Sequence, residues 1–285
     1  MCEYGWGEPS CASFYQTIQL PGRIVKGGNK IVDVEIMALA NCHLCGQPAE
    51  LVESHVWPKF AYKRYVSDLS KGGSFLDLRK GAISNAQYKR AWFCPTCDNE
   101  RLGSVENSAA GFCRTLEAGQ SAPVRYDDRF LRFATSVSWR TLKLWMEEQP
   151  TRPTESLKRV LRQWKDFLNE KKNDVGPFTQ HLFVVFGALV DWHKALGGTV
   201  FSREQVVLSQ VGPLFIAGLL ERNHLNASER RSWDHSKIAR SGGQFTPVKA
   251  WRVPTELTRD FARLLKRHEV TTAQRIINLH DKPMK

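Results

Sequence analysis

Two C-x-x-C pairs, a run of amphipathic helical patterns after residue 127 and short β-branched apolar runs after residue 178 together predict an α+β fold. The cysteines place a small metal-stapled domain early in the chain, and the later patterns add a mainly helical α+β domain. A chain of 285 residues can bury one large core or two modest ones. Its 42% hydrophobic and 25% charged residues are those of an ordinary globular protein, which excludes a mainly disordered or fibrous chain. The longest apolar stretches, 182–190 and 211–220, are too short to span a bilayer. The opening MCEYGWGEPS is acidic and lacks the basic-then-apolar order of a secretory signal. The expectation is a cytoplasmic protein with no membrane partner, its cysteines reduced or bound to metal.

Taken in order, residues 1–40 read as an N-terminal extension with a hairpin over 18–36, where apolar and polar residues alternate around Gly27-Gly28. Residues 42–97 read as loop-rich. Leu102, Val105, Ala109 and Phe112 then recur at helical spacing, predicting a helix to about Glu117. Gly119, Ser121 and Pro123 cluster at 118–125 and mark a boundary between domains 41–120 and 121–285. From Asp127, a candidate cap, Phe130, Phe133, Ala134, Val137, Leu144 and Trp145 predict a long helix ended by Pro150 and Pro153. Thr154 caps a second helix with Leu157, Val160, Leu161, Trp164 and Leu168 on one face. Its other face (Lys158, Arg159, Arg162, Lys165) reads as solvated, and Trp139, Trp145 and Trp164 read as core. Strands are expected over 178–189, near Val206 and over 214–220, a loop over 222–247, and closing helices over 255–269 and 271–280.

The 41 Lys and Arg exceed the 29 Asp and Glu by 12, which points to a polyanionic partner. Residues 121–285 carry 28 basic and 17 acidic side chains, so most of the excess lies there. A local patch adds to it: Lys59, Lys63, Arg64, Lys71, Arg79, Lys80, Lys89 and Arg90 face only Asp68 and Asp77 between positions 59 and 90. Tyr62, Tyr65 and Tyr88 are interleaved. The mixture suits phosphate contacts with some stacking, and equally a solvated surface loop.

Cys42 and Cys45 (CHLC) with Cys94 and Cys97 (CPTC) supply four thiolates, the donor set and number that structural zinc prefers. Residues 46–93 exceed the usual finger spacing, so a small domain must fit between the pairs. In a treble-clef-like arrangement the first pair sits on a turn and the second opens a helix, whose dipole favours thiolate. His43 reads as a solvent-facing turn residue, and Cys2, Cys11 and Cys113 as ordinary thiols.

Ten positions after Cys45 stands the histidine of VESHVWPKF. The string Ser54-His55-Val56-Trp57-Pro58-Lys59-Phe60, then Gln87, then Phe93-Cys94-Pro95-Thr96-Cys97-Asp98 resembles the HNH (ββα-metal) endonucleases whose nuclease motif is built into a four-cysteine zinc site. The resemblance covers about residues 40–115, and SVSWR at 136–140 adds a weaker match. It implies a zinc-stabilised ββα-metal nuclease domain that hydrolyses DNA phosphodiester bonds, with His55 as general base and Mg2+ or Mn2+ held by Asp98 and Asn99, assisted by Ser54. It further implies backbone contacts to DNA with weak sequence preference, for which the charge pattern offers Lys59, Lys63, Arg64, Arg79, Lys80, Lys89 and Arg90 and the basic C-terminal domain. A role as an anti-phage effector belongs to the same implication, and a regulatory partner protein is expected because no ATPase or methyl-recognition motif is visible.

Two positions depart from the family. Ser54 stands where an Asp, Glu or His is common, which leaves Asp98 and waters, or Glu53 or Glu106, to hold the cation. Lys89 stands where the middle Asn is expected, which leaves a backbone carbonyl or Gln87 to orient the base. Those departures keep open a non-catalytic zinc module that binds nucleic acid or a partner protein. The site does not distinguish sugars, so an HNH-like ribonuclease stays open too.

Overall fold

A computed structural model describes residues 39–65, 75–77, 82–84, 86–117, 124–149, 153–184, 195–201, 206–220, 231, 233–234 and 236–245. The expected hairpin at 18–36, the boundary residues 118–123 and the closing helices after 255 lie outside these residues. Helices and small sheets mix along the chain, as an α+β fold requires.

The first pair of cysteines sits on a turn between two short antiparallel strands, β1 (Ala40–Asn41) and β2 (Pro48–Ala49). Strand β3 (Val52–His55) follows, then helix α1 (Lys59–Tyr65), β4 (Phe75–Asp77), β5 (Ala82–Ser84) and β6 (Lys89–Phe93). The region expected to be loop-rich therefore holds regular structure. Its helix α1 is a single short piece whose first amide, of Lys59, is capped by the distant Glu106 carboxylate at 3.3 Å, a partner that local sequence does not show.

Strands β3 and β6 pair antiparallel, with Ser54 opposite Arg90 and His55 opposite Lys89, and a bulge between Val52 and Glu53. After β6 the chain turns through Cys94 into a π-helical segment, Thr96–Leu102, in which the Gly103 amide reaches back five residues to the Asp98 carbonyl. Helix α2 (Gly103–Glu117) continues it over the stretch that the apolar spacing predicts.

Beyond β7 (Val124–Tyr126) lie the two long helices, α3 (Asp128–Glu148) and α4 (Glu155–Leu168). Both start at the predicted caps. The Asp127 carboxylate accepts from the Phe130 amide at 3.3 Å, and the Thr154 hydroxyl from the Leu157 amide at 3.4 Å.

Strands β8 (Gln180–Val184), β9 (Ala195–Phe201), β10 (Val206–Val211) and β11 (Leu214–Leu219) join β4 and β5 in one sheet of order β5-β4-β9-β10-β11-β8. All its pairings are antiparallel except β4 with β9. A strand pair from segment 41–120 is thus built into the sheet of segment 121–285. A last strand, β12 (Gly243–Phe245), pairs with β7 inside the stretch expected to be a loop.

Helix α3 lies on this sheet, with α4 packed beside it. Close approach needs a glycine on the sheet surface: a Cβ on Gly218 would stand 2.7 Å from the Trp164 ring. Trp139 and Trp164 are buried as predicted, and they share one core with Cys42, Cys97, Phe93 and Phe133. Among the described residues no helix is long and apolar enough to cross a membrane.

Candidate metal centre and the histidine beside it

The metal centre begins with local backbone geometry. Gly46 takes φ +83, a left-handed conformation that costs glycine nothing, and its amide closes on the Cys42 carbonyl at 2.8 Å. The turn is fastened to β6 through the His43 amide, which donates to the Trp92 carbonyl at 2.8 Å. Cys94 leaves β6 beside it, and its amide donates to the Cys42 sulfur at 3.3 Å. Cys97 follows on the first turn of the π-helical segment.

The four Sγ atoms lie within 4.8 Å of one another, and Cys42, Cys94 and Cys97 are buried. Cys45 Sγ and Cys94 Sγ stand 3.9 Å apart, too far for a disulfide and close to the ~3.8 Å edge of a tetrahedron with metal–sulfur bonds of about 2.3 Å.

Electrostatics fits the same occupant. Burial pushes the Cys94 and Cys97 thiols up, and the neighbouring Cys42 sulfur adds to the effect on both. Burial also opposes the Cys42 thiolate, but amides of Cys94, Cys45 and Leu44 outweigh it and hold that thiol down at about 7. Four packed thiols cannot all ionise without a cation among them, and a cation of matching size removes the conflict. The cluster is a place where the chain can hold one metal ion. Among the described residues it is the one group of three or more His, Cys, Asp or Glu side chains close enough to share an ion.

His55 ends β3, half-buried. Its Nε2 lies 2.8 Å from the Gln87 amide oxygen, an acceptor, so that nitrogen carries the proton of the neutral ring and Nδ1 keeps its lone pair. The Tyr62 ring lies 5.4 Å away. Gln87, one of two groups expected to orient the ring, is thus in contact with it.

The His55 carbonyl is held as well. The buried Arg140 guanidinium donates to it at 3.1 Å, to the Glu106 carboxylate at 2.9 Å and to Ser136. Helices α2 and α3 are thereby clamped to the end of β3. Reading the sequence missed this clamp. Its signal was present: Arg140 falls on the apolar stripe of α3, between Val137 and Leu144, and a charge at a core position implies a partner.

Two of the remaining expected site residues are engaged elsewhere. Ser54 is buried, and its hydroxyl donates to the Val52 carbonyl of its own strand at 3.2 Å. Glu106 is engaged by Arg140 and the Lys59 amide. Asp98 is half-buried on the π-helical segment, with Asn99 exposed beside it.

Of the basic patch, Lys59, Lys63 and Arg64 are exposed, whereas Lys89 pairs with Glu53 and Arg90 with Glu148. Arg79, Lys80 and Lys71 lie outside the described residues. The expected stacking role is corrected for Tyr62, whereas Tyr88 is half-buried. Tyr62 is buried and accepts the Tyr88 amide, and the Tyr88 hydroxyl donates to the buried Asp77 carboxylate at 2.5 Å. His43 is also corrected: it is half-buried, with Nδ1 enclosed, not solvent-facing.

No protein-family model, curated protein or solved structure matches the chain.

Proposed function

We propose that the chain is a metal-dependent endonuclease of the HNH kind, with structural zinc in the four-cysteine cage and His55 as general base. What supports the reading is one arrangement. A strand ending in a histidine pairs with a strand that runs into the second cysteine pair and a helix, and Gln87 fixes the ring with Nδ1 free.

In such a site His55 Nδ1 accepts the proton of the water that attacks phosphorus. Arg140 and Gln87 hold the imidazole at the main chain and at the ring. Asp98, with waters, would be the hard oxygen donor for Mg2+ or Mn2+, which would neutralise charge on the departing oxygen. The excess of basic residues brings in the nucleic-acid backbone.

Nicking of supercoiled plasmid in Mg2+ or Mn2+ tests the proposal. With zinc content matched, His55→Ala should lower the rate by about 10²- to 10⁴-fold. Undiminished activity in that variant, or none in the wild type with either metal, sinks it.

A non-catalytic zinc module is the second reading. It is favoured by the Ser54 hydroxyl bonded to its own strand and by Glu106 held by Arg140, which leave Asp98 with few protein partners for a second cation. DNA binding without cleavage would select it. Labelled RNA offered beside DNA decides the ribonuclease alternative.

A further inference from the structure

A cavity of about 410 Å3 opens between the first cysteine turn and helices α3 and α4. Asn41 and His43 line it from the turn, Trp139 and Lys143 from α3, Arg162 and Lys165 from α4. None of these residues belongs to the stretch 59–90, and the face of α4 that borders the cavity is the one expected to be merely solvated.

The charges there are not balanced. Lys143 is anchored: it pairs with Glu147 at 2.7 Å and lies over the Trp92 ring at 5.1 Å. Arg162 and Lys165 have no carboxylate partner among the described residues, although both lie on one wall of the same recess. His43 contributes an enclosed Nδ1 with no hydrogen-bond partner. Two cations without a carboxylate partner, backed by an anchored lysine, make one recess suited to an anion with several acceptor oxygens.

The position adds a second reason. His43 is hydrogen-bonded to Trp92, and Trp92 stands three residues along β6 from Lys89, the strand partner of His55. That is about 10 Å of extended chain. One nucleic-acid strand rises about 3.4 Å per phosphate, so the spacing is covered by roughly three phosphates.

We propose that this recess binds the phosphate backbone of a nucleic acid, with Arg162 and Lys165 as the phosphate contacts and Lys143 as the fixed charge behind them. The inference rests on the nucleic-acid half of the proposed function and not on hydrolysis. The dense charge of a backbone, rather than one small phosphate, suits a recess that is open along α4 and bordered by an exposed arginine.

The test is fluorescence anisotropy of a labelled duplex, without added divalent cation, over a range of salt concentrations. The double variant Arg162→Ala/Lys165→Ala should bind about tenfold more weakly near 0.1 M salt, with a log–log salt slope shallower by about 1 to 2. Its zinc content and circular dichroism should match the wild type. Lys158→Ala, on the same helix but paired with Glu155 at 2.6 Å, should bind like the wild type.

Unchanged affinity and slope in the double variant overturn the proposal, as does an equal loss in Lys158→Ala. Displacement of the duplex by pyrophosphate as effectively as by unlabelled duplex, phosphate for phosphate, overturns the backbone assignment in favour of a small phosphate ligand. A wild type that binds no nucleic acid overturns both this inference and the function it rests on. A wild type that binds without cutting, and loses binding in the double variant, keeps the recess and removes only the hydrolysis.

Discussion

Arg140 is almost wholly buried, at 2% exposure, and its guanidinium is satisfied by Glu106, Ser136 and the His55 carbonyl. A buried pair of this kind is weak evidence for stability by itself, but removing one partner leaves a stranded charge. Arg140→Met should therefore cost about 3–5 kcal/mol in urea unfolding, and Arg140→Met/Glu106→Leu should recover much of that loss. Equal destabilisation in the single and double variants would show that the clamp acts by shape alone. The His55–Gln87 contact has its own readout. Nitrogen chemical shifts of the neutral ring should report the Nε2–H tautomer, and Gln87→Ala should turn this into a mixture of tautomers. A mixture already present in the wild type would remove Gln87 as the orienting group. The cysteines, His55 and both helix caps were legible in the sequence, because each is defined by its own residue type and near neighbours. The Arg140 clamp was not: its acceptors lie on β3 and α2, far away in the chain, and only the misfit of a charge on an apolar stripe announces it.

Helices α3 and α4 follow from spacing and caps, which are local physics. Thr154→Ala should lower stability by about 1 kcal/mol, measured by chemical denaturation, because the Leu157 amide loses its acceptor. The sheet is less local. Strand β9 (ALGGTVF) carries a Gly-Gly that weakens any strand reading, and it forms because β10 and β4 flank it. Strands β4 and β5 join a sheet whose other members all lie after residue 179, and their short sequences hold no signal of that pairing. Helix α1 likewise depends on Glu106 for its first amide. Packing of the sheet against α4 yields a sharp prediction at Gly218. Gly218→Val puts atoms into the Trp164 ring and should cost about 1–3 kcal/mol, whereas a neutral result in thermal unfolding would mean that α4 can shift away from the sheet.

Across the molecule, the four cysteines bring together elements that are separate in the chain. Cys42 and Cys45 belong to a turn, Cys94 ends β6 and Cys97 starts the helical segment behind which α2 and α3 pack. Asn169, at the end of α4, reaches the same turn through the Leu44 carbonyl at 2.5 Å, so the metal turn is tied to the later helices as well. Loss of the ion should therefore be felt well beyond the turn: Cys97→Ser, or chelation, should lower the thermal midpoint and broaden the transition, and a midpoint unmoved by chelator would mean that the packing suffices alone. In the proposed function, the positive charge concentrated after residue 120 would supply the grip on a polyanion, partly through the recess of Arg162 and Lys165 beside that turn.

Everything assigned to His55, Gln87 and the recess depends on a filled cage holding the turn against β6. Zinc-edge X-ray absorption on the purified full chain measures this most directly, taken together with the metal content per chain. The predicted result is one zinc per chain with four sulfurs at about 2.3 Å. Substoichiometric zinc, or a shell in which nitrogen or oxygen replaces any of the four sulfurs, would contradict it.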